Sequence, residues 1–197
     1  HSLKSKLPGE VAITSATDDG SKLIVAASAA ETPATAYIYD RKAKTLTKLY
    51  ETRPDLAAYK LRPMWPVEIP TGDGKTLVSY LTLPAGADAN NDGKADKPVP
   101  LILNVHGGPW ARDGYGYNSA HQWFADRGYA VLSVNYRGST GFGKGFINAA
   151  IGEWSGKMHQ DLLDAVGWAV KGGVTTRDKV AIFGGSYGGY ATLVGLT

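Results

Sequence analysis

Along the first fifty residues, short apolar or alternating runs are broken by turn residues at about ten-residue spacing. Residues 13–16 are a weak strand candidate and residues 23–27 an apolar run, separated by Asp18-Asp19-Gly20. That tripeptide favours a turn, because Gly accepts positive φ and Asp bonds nearby amides. Thr32-Pro33-Ala34 marks a second turn, residues 36–40 alternate large and small, residues 41–44 form a charged turn, and residues 45–50 alternate again. The pattern predicts an antiparallel sheet of four short strands. Residues 51–64 carry Pro54 and Pro63 with little periodicity and read as a linker. Residues 65–70 and 76–82 are strands about a Gly72-Asp73-Gly74 hairpin turn.

The pattern then changes. Residues 101–105 are a continuous apolar run, as in a strand covered on both faces. Residues 120–127 read as a helix ended by Gly128, and residues 130–135 as the next buried strand. Residues 158–171 carry Leu162, Ala165, Val166, Ala169 and Val170 at helical spacing, stopped by Gly172-Gly173. A strand over 180–184 and a helix from about 188 complete the chain. Alternating strand and helix predicts a doubly wound α/β sheet, with its site in loops at the carboxyl ends of the strands. The expected domains are residues 1–60 and residues 61–197. The first sheet has the size of one β-propeller blade, which needs neighbours to bury its faces; a meander packed on the following residues has the same pattern.

Composition narrows the function classes. The 197 residues are 43% hydrophobic and 20% charged, with a net charge of +3 and a pI near 8.9. No dense Lys/Arg cluster is interleaved with aromatics, which argues against nucleic acid as a partner. No apolar run approaches a membrane span. The absence of cysteine excludes disulfides, thiolate metal sites and a cysteine nucleophile, and suits the periplasm and the cytoplasm equally. No signal peptide is visible, and a start at His1 suggests a piece of a longer chain.

The candidate chemistry gathers at strand ends. Gly184-Gly185-Ser186-Tyr187-Gly188 has the form G-x-S-x-G between a strand and a helix, the layout of a nucleophile elbow. A sharp turn there lifts the Ser186 hydroxyl above the sheet, and the Tyr187 N–H at the helix start can face a developing oxyanion. A glycine-rich turn with an incidental serine is the plainer reading. His106-Gly107-Gly108 follows the first buried strand and can aim backbone N–H groups, notably that of Gly108, at the same point. Arg137, at another strand end, is either a structural ion-pair partner or a contact for substrate carbonyl or carboxylate oxygens. His106 fits a structural role holding its loop better than that of general base; His121 and His159 read as helix-surface or packing residues. Asp88, Asn90, Asp92, Gly93 and Asp96 follow calcium-loop spacing, but Val99 stands where the bidentate Glu belongs. A solvated Asp/Asn/Gly loop is the competing reading, and no cofactor is expected.

Three motifs carry a resemblance. His106-Gly107-Gly108-Pro109-Trp110, the segment Asn135-Tyr136-Arg137-Gly138-Ser139-Thr140-Gly141-Phe142-Gly143, and Gly184-Gly185-Ser186-Tyr187-Gly188-Gly189-Tyr190 stand in this order. Together they resemble the prolyl oligopeptidase family of serine peptidases, in its acylaminoacyl-peptidase and dipeptidyl-peptidase-like branch. The resemblance covers residues 63–197 well and residues 1–60 loosely. It implies the end of a β-propeller in residues 1–60, and in residues 61–197 the N-terminal half of an α/β-hydrolase fold, truncated after the elbow. It further implies Ser186 as nucleophile, Gly108 and Tyr187 as oxyanion donors, Tyr187 as a substrate contact, and short peptides as substrates. The Asp and His of a triad would lie beyond Thr197, so negligible turnover and poor stability are expected of these residues alone. A carboxylesterase of the same fold explains the His-Gly-Gly loop and the elbow, but not the middle motif or the first sheet. A non-catalytic degenerate hydrolase is the remaining alternative.

Overall fold

The computed structural model describes residues 3–196, so His1, Ser2 and Thr197 of the two expected domain spans lie outside the described residues. Two compact units are present: His1–Pro63 with Tyr115–Ser119, and Met64–Gly114 with Ala120–Thr197.

In the first unit the alternating runs form strands β1 (Glu10–Ala16), β2 (Lys22–Ala29), β3 (Thr32–Asp40) and β4 (Thr45–Glu51). They make an antiparallel meander in sequence order. Leu7, Val25 and Ala27 are its buried apolar centre, flanked by Val11, Leu23, Tyr37, Tyr39 and Leu46. One expected turn is corrected. The chain reverses at residues 30–31, and Thr32-Pro33-Ala34 already belongs to β3. Pairing steps from Ala29↔Thr32 to Ala27↔Thr35, so Pro33 falls in an irregularity of the ladder where its missing N–H costs no inter-strand bond. The segment read as a linker includes a 3-10 turn at Pro54–Ala58, with proline in its first turn.

The second unit is one mixed sheet. Strands β5 (Trp65–Pro70) and β6 (Thr76–Thr82) form the expected hairpin. After them come β7 (Leu101–Val105), α1 (Ser119–Asp126), β8 (Ala130–Val134), α2 (Lys144–Asn148), α3 (Lys157–Lys171), β9 (Val180–Gly184) and α4 (Tyr187–Val194). The strand order is β5-β6-β8-β7-β9, antiparallel as far as β8 and parallel across β8, β7 and β9. Burial explains the patterns. All five residues of β8 are buried, its one polar member Ser133 being bonded to His121, whereas the edge strand β5 alternates. Helix α3 buries Met158, Leu162, Ala165 and Ala169 on one face and leaves Leu163 exposed. The five-residue helix α2 has no counterpart in the sequence pattern.

The topology positions the site. From β7 the chain steps to β8 on one side, then returns across to β9 on the other. The carboxyl ends of β8, β7 and β9 therefore lie side by side, and the connections diverge at β7. Such a switch point is where open α/β sheets place ligands.

A buried histidine packs against this sheet. His121 on α1 is fully enclosed, with Nδ1 2.9 Å from Thr82 Oγ1 and Nε2 2.8 Å from Ser133 Oγ. This corrects the helix-surface alternative. Burial pushes its pKa down to about 4. The native state thus keeps the imidazole neutral, while the unfolded chain takes up a proton near pH 6.5. Stability is expected to fall as pH drops from about 6.5 to about 4, by up to about 3 kcal/mol from this residue. Urea melts across that range should show the slope in the wild type and a flatter one in His121→Gln; equal slopes would exclude His121 as the source.

Candidate active site

Ser186 sits between β9 and α4 with φ 55° and ψ −121°. Positive φ is uncommon for any residue with a Cβ and stores of order 1–3 kcal/mol of strain. Lys44 and Asn91 are the other non-glycine residues at positive φ among those described. The strain follows from close packing. A Cβ on Gly184 would stand 2.6 Å from Val105 O, and one on Gly188 would overlap the same carbonyl oxygen. With both neighbours reduced to bare backbone, α4 drops onto the end of β7 and the serine takes the apex. Ser186 is exposed, while Tyr187 and Gly188 are buried beneath it. The Tyr187 N–H, in the first turn of α4, has no partner within the helix.

The loop after β7 meets this turn. A Cβ built on Gly107 would lie 3.2 Å from Ser186 Cβ and 3.2 Å from Gly185 O. The first and third motifs, some eighty residues apart in the chain, are therefore in contact. Gly108 has φ 131°, open to glycine alone, and precedes a cis bond to Pro109.

The middle motif lies against the other side of the same loop. Tyr136 is fully buried, stacks on the His106 ring at 4.4 Å, and donates its phenol hydrogen to His106 O at 2.7 Å. His106 Nδ1 lies 2.7 Å from Gly107 O, which makes it the donor, and Nε2 lies 2.9 Å from Ser139 Oγ. Asn135 accepts from Asp113 N at 2.8 Å and donates to Asp113 O at 3.2 Å, while Thr140 N donates to Ala111 O at 2.9 Å. Burial pushes the Asp113 carboxyl pKa up. Sequence reasoning gave a task in this segment to Arg137 alone; the partner loop of Asn135, Tyr136, Ser139 and Thr140 is set by strand order.

Arg137 anchors the segment from below. Its side chain is 2% exposed. Nε and Nη2 donate to Asp161 at 2.9 and 2.6 Å, and Nη1 and Nη2 donate to Asp73 at 2.8 and 2.9 Å. Its backbone N donates to Asp161 as well, at 2.8 Å. Four of the five guanidinium N–H groups are thus committed to carboxylates, the arrangement of a structural ion pair rather than a substrate contact. The two carboxylates differ. Hydrogen bonds from Arg137 and Thr71 hold Asp73 well below the usual carboxylate range, whereas burial pushes Asp161 up against the pull of the guanidinium.

Tyr187 joins an aromatic group beside the elbow. Its ring lies 5.1 Å from Tyr136, 5.5 Å from Trp154 and 5.8 Å from Tyr190, and its phenol donates to Trp154 O at 3.0 Å. Trp154 and Tyr190 are partly exposed on that surface.

The acidic loop is closed by its own carboxylates. Asp88 accepts backbone N–H groups from Asp92 and Gly93 at 3.0 and 2.9 Å. Asp96 accepts from Ala89 N, and Asp92 from Lys94 N, each at 2.9 Å. Asn90 is exposed. The carboxylates cap the loop's own amides instead of converging on one point, and Gly93 (φ 79°) lies flat on the Trp65 indole. Among the described residues no group of three or more His, Asp or Glu side chains is arranged to hold a metal ion.

The parallel β8-β7-β9 core with a strained serine turn between β9 and α4 has the arrangement of an α/β-hydrolase sheet. The prolyl oligopeptidase family matches residues 115–197. Dipeptidyl aminopeptidase BIII of Pseudoxanthomonas mexicana is 69% identical over 96% of this chain. Dipeptidyl peptidase family member 6 of Caenorhabditis elegans is 43% identical over 98%. The chain spans 28% of the length of each. An acylaminoacyl peptidase solved in complex with Z-Gly-Gly-Phe-chloromethyl ketone superposes with a TM-score of 0.76 at 26% identity, covering 95% of this chain and 29% of that one. The family match over residues 115–197 and these relatives make the chain similar to serine peptidases of the prolyl oligopeptidase family.

Two stability tests follow. Gly188→Ala should lower stability by about 1–3 kcal/mol despite alanine's better helix propensity, because the Val105 carbonyl must move. Gly185→Ala should be near neutral, since a Cβ there meets nothing within 4 Å. Equal melting temperatures for the two variants would contradict the packing account. Asp161→Ala should cost about 3–5 kcal/mol in urea unfolding by stripping a buried guanidinium of its main partner; a loss under 1 kcal/mol would contradict that.

Proposed function

We propose that this chain carries the nucleophile and oxyanion donors of a serine peptidase that cleaves short peptides through an acyl-enzyme on Ser186. The observation that supports this most is the strained, exposed Ser186 held against the Gly107 backbone at a strand-to-helix turn. In this reading Ser186 Oγ attacks the scissile carbonyl, and the N–H groups of Gly108 and Tyr187 stabilise the oxyanion. Each such donor contributes roughly 3–4 kcal/mol at the transition state. Tyr187 contacts substrate through its backbone N–H, while the exposed Trp154 and Tyr190 supply an aromatic surface beside the bond to be cut. Arg137 serves by bracing the loop.

The general base comes from elsewhere in the protein. No histidine among the described residues is hydrogen-bonded to Ser186. His106 and His121 are bonded as given above, and His159 Nδ1 is buried without a partner. The names of the relatives favour release of dipeptides or acylated amino acids from peptide N-termini as the activity. By the same reasoning the meander of β1–β4 is one blade of a β-propeller, within residues 1–60, and residues 61–197 open the catalytic domain.

The test uses the full gene product that includes this chain. A fluorophosphonate should label Ser186 by mass spectrometry, and Ser186→Ala should abolish cleavage of dipeptidyl or acylaminoacyl anilides by roughly 10⁴-fold or more. Turnover of p-nitrophenyl esters without any anilide cleavage would favour an esterase instead. Unimpaired anilide cleavage by Ser186→Ala would refute the assignment.

A further inference from the structure

We propose that Tyr136 is a positioning residue of the oxyanion site, acting through His106 to set the directions of the Gly107 and Gly108 N–H groups. This rests on the peptidase reading above and adds a residue that the reaction scheme does not contain.

Peptide geometry carries the inference. In a planar trans peptide the C=O and the N–H point in opposite directions, so holding one aims the other. Two hydrogen bonds hold the two peptide planes on either side of Gly107, both of which are trans. The Tyr136 phenol grips His106 O at 2.7 Å, which orients the Gly107 N–H. The His106 imidazole grips Gly107 O at 2.7 Å, which orients the Gly108 N–H, the proposed oxyanion donor. Tyr136 acts on the second plane too, because its ring lies nearly parallel to the imidazole at 4.4 Å and 17°. Ser139 Oγ borders the far edge of that imidazole, 2.9 Å from Nε2.

Tyr136 is itself held on every side. It is fully buried, and its carbonyl accepts the Ser139 hydroxyl at 2.7 Å. The next residue is tied by backbone and side chain to Asp161. Its ring also touches Tyr187, the residue proposed to supply the second donor, at a centroid distance of 5.1 Å. One side chain thus borders both halves of the oxyanion site. Burial raises the phenol pKa, so Tyr136 keeps its donor hydrogen throughout the working pH range.

The test is Tyr136→Phe in the full gene product, which keeps the ring and deletes only the hydroxyl. Removing an oxyanion donor outright costs about 10²–10³ in kcat, and a mis-aimed donor should cost about 10–100-fold. The expected result is that loss in kcat for a peptide anilide, with KM changed less than about twofold. The inhibition constant of a peptidyl aldehyde, whose hemiacetal oxygen occupies the oxyanion site, should rise by the same factor. A merely structural role would not tie these two quantities together. A second pair reads the same device independently of whether Tyr136→Phe folds. In His106→Asn the amide nitrogen can replace Nδ1 and should retain most of the kcat that His106→Ala loses.

Wild-type kcat and aldehyde affinity in Tyr136→Phe would overturn the proposal. So would equal damage in His106→Asn and His106→Ala. A wild-type protein that neither turns over anilides nor is labelled at Ser186 would instead remove the peptidase reading, and this inference with it.

Discussion

The carbonyl oxygen of Val105 leaves no space for a side chain at Gly184 or Gly188. That steric constraint determines the rest of the site. Because β9 runs parallel to β7 and in register from Leu101↔Val180 to Val105↔Gly184, the chain leaving β9 must turn directly over the end of β7. Glycine on both sides lets α4 settle there at backbone contact. The residue between them is forced to positive φ, and its side chain is raised into solvent. A strained serine is therefore a consequence of sheet register and close packing. Its position against Gly107 follows from the same contact.

A second requirement is electrostatic. The loop that faces the serine is rich in glycine and has little apolar surface to hold it. It is held instead by polar groups from the neighbouring strand end: Tyr136 and Ser139 on His106, Asn135 on Asp113, and Thr140 on Ala111. Such a polar layer persists only if its members are satisfied, since each unpaired buried group costs about 1–3 kcal/mol. Arg137 closes the arrangement. Its guanidinium, shared between Asp161 on α3 and Asp73 in the β5–β6 turn, ties three separate elements to the loop's support. The result is a rigid base beneath a flexible backbone composition, which suits donors that must be aimed before charge develops.

Much of the architecture was legible in the chain. The largely apolar runs at 101–105 and 130–134 became the central strands because a strand covered on both faces is predominantly apolar, and the two polar members, Asn104 and Ser133, bond to each other. The spacing from Leu162 to Ala169 became the buried face of α3. Other features were hidden for identifiable reasons. Helix α2 is too short to show a period. The reversal at residues 30–31 lacks Gly or Asn, while the nearby proline drew attention to the wrong residues. Asp88, Asp92 and Asp96 had calcium-loop spacing, yet spacing does not show whether an oxygen points inward or caps a neighbouring amide. His121 read as either a helix-surface or a packing residue, and Thr82 and Ser133, which close around it, decide for packing.

By itself, then, the sequence determined the elements, the glycines that permit the turn, and the three motifs that a family shares. These are local properties, written in periodicity and in the freedom of residues without a Cβ. Tertiary structure decided which motifs meet. The strand order β8-β7-β9 brings residues 106, 136 and 186 to one edge, and no local signal encodes that order. It also decided that Arg137 bonds to carboxylates 64 and 24 residues away and so belongs to the foundation of the site. The partners of a long side chain depend on what the fold places within its reach, and only the assembled sheet specifies that.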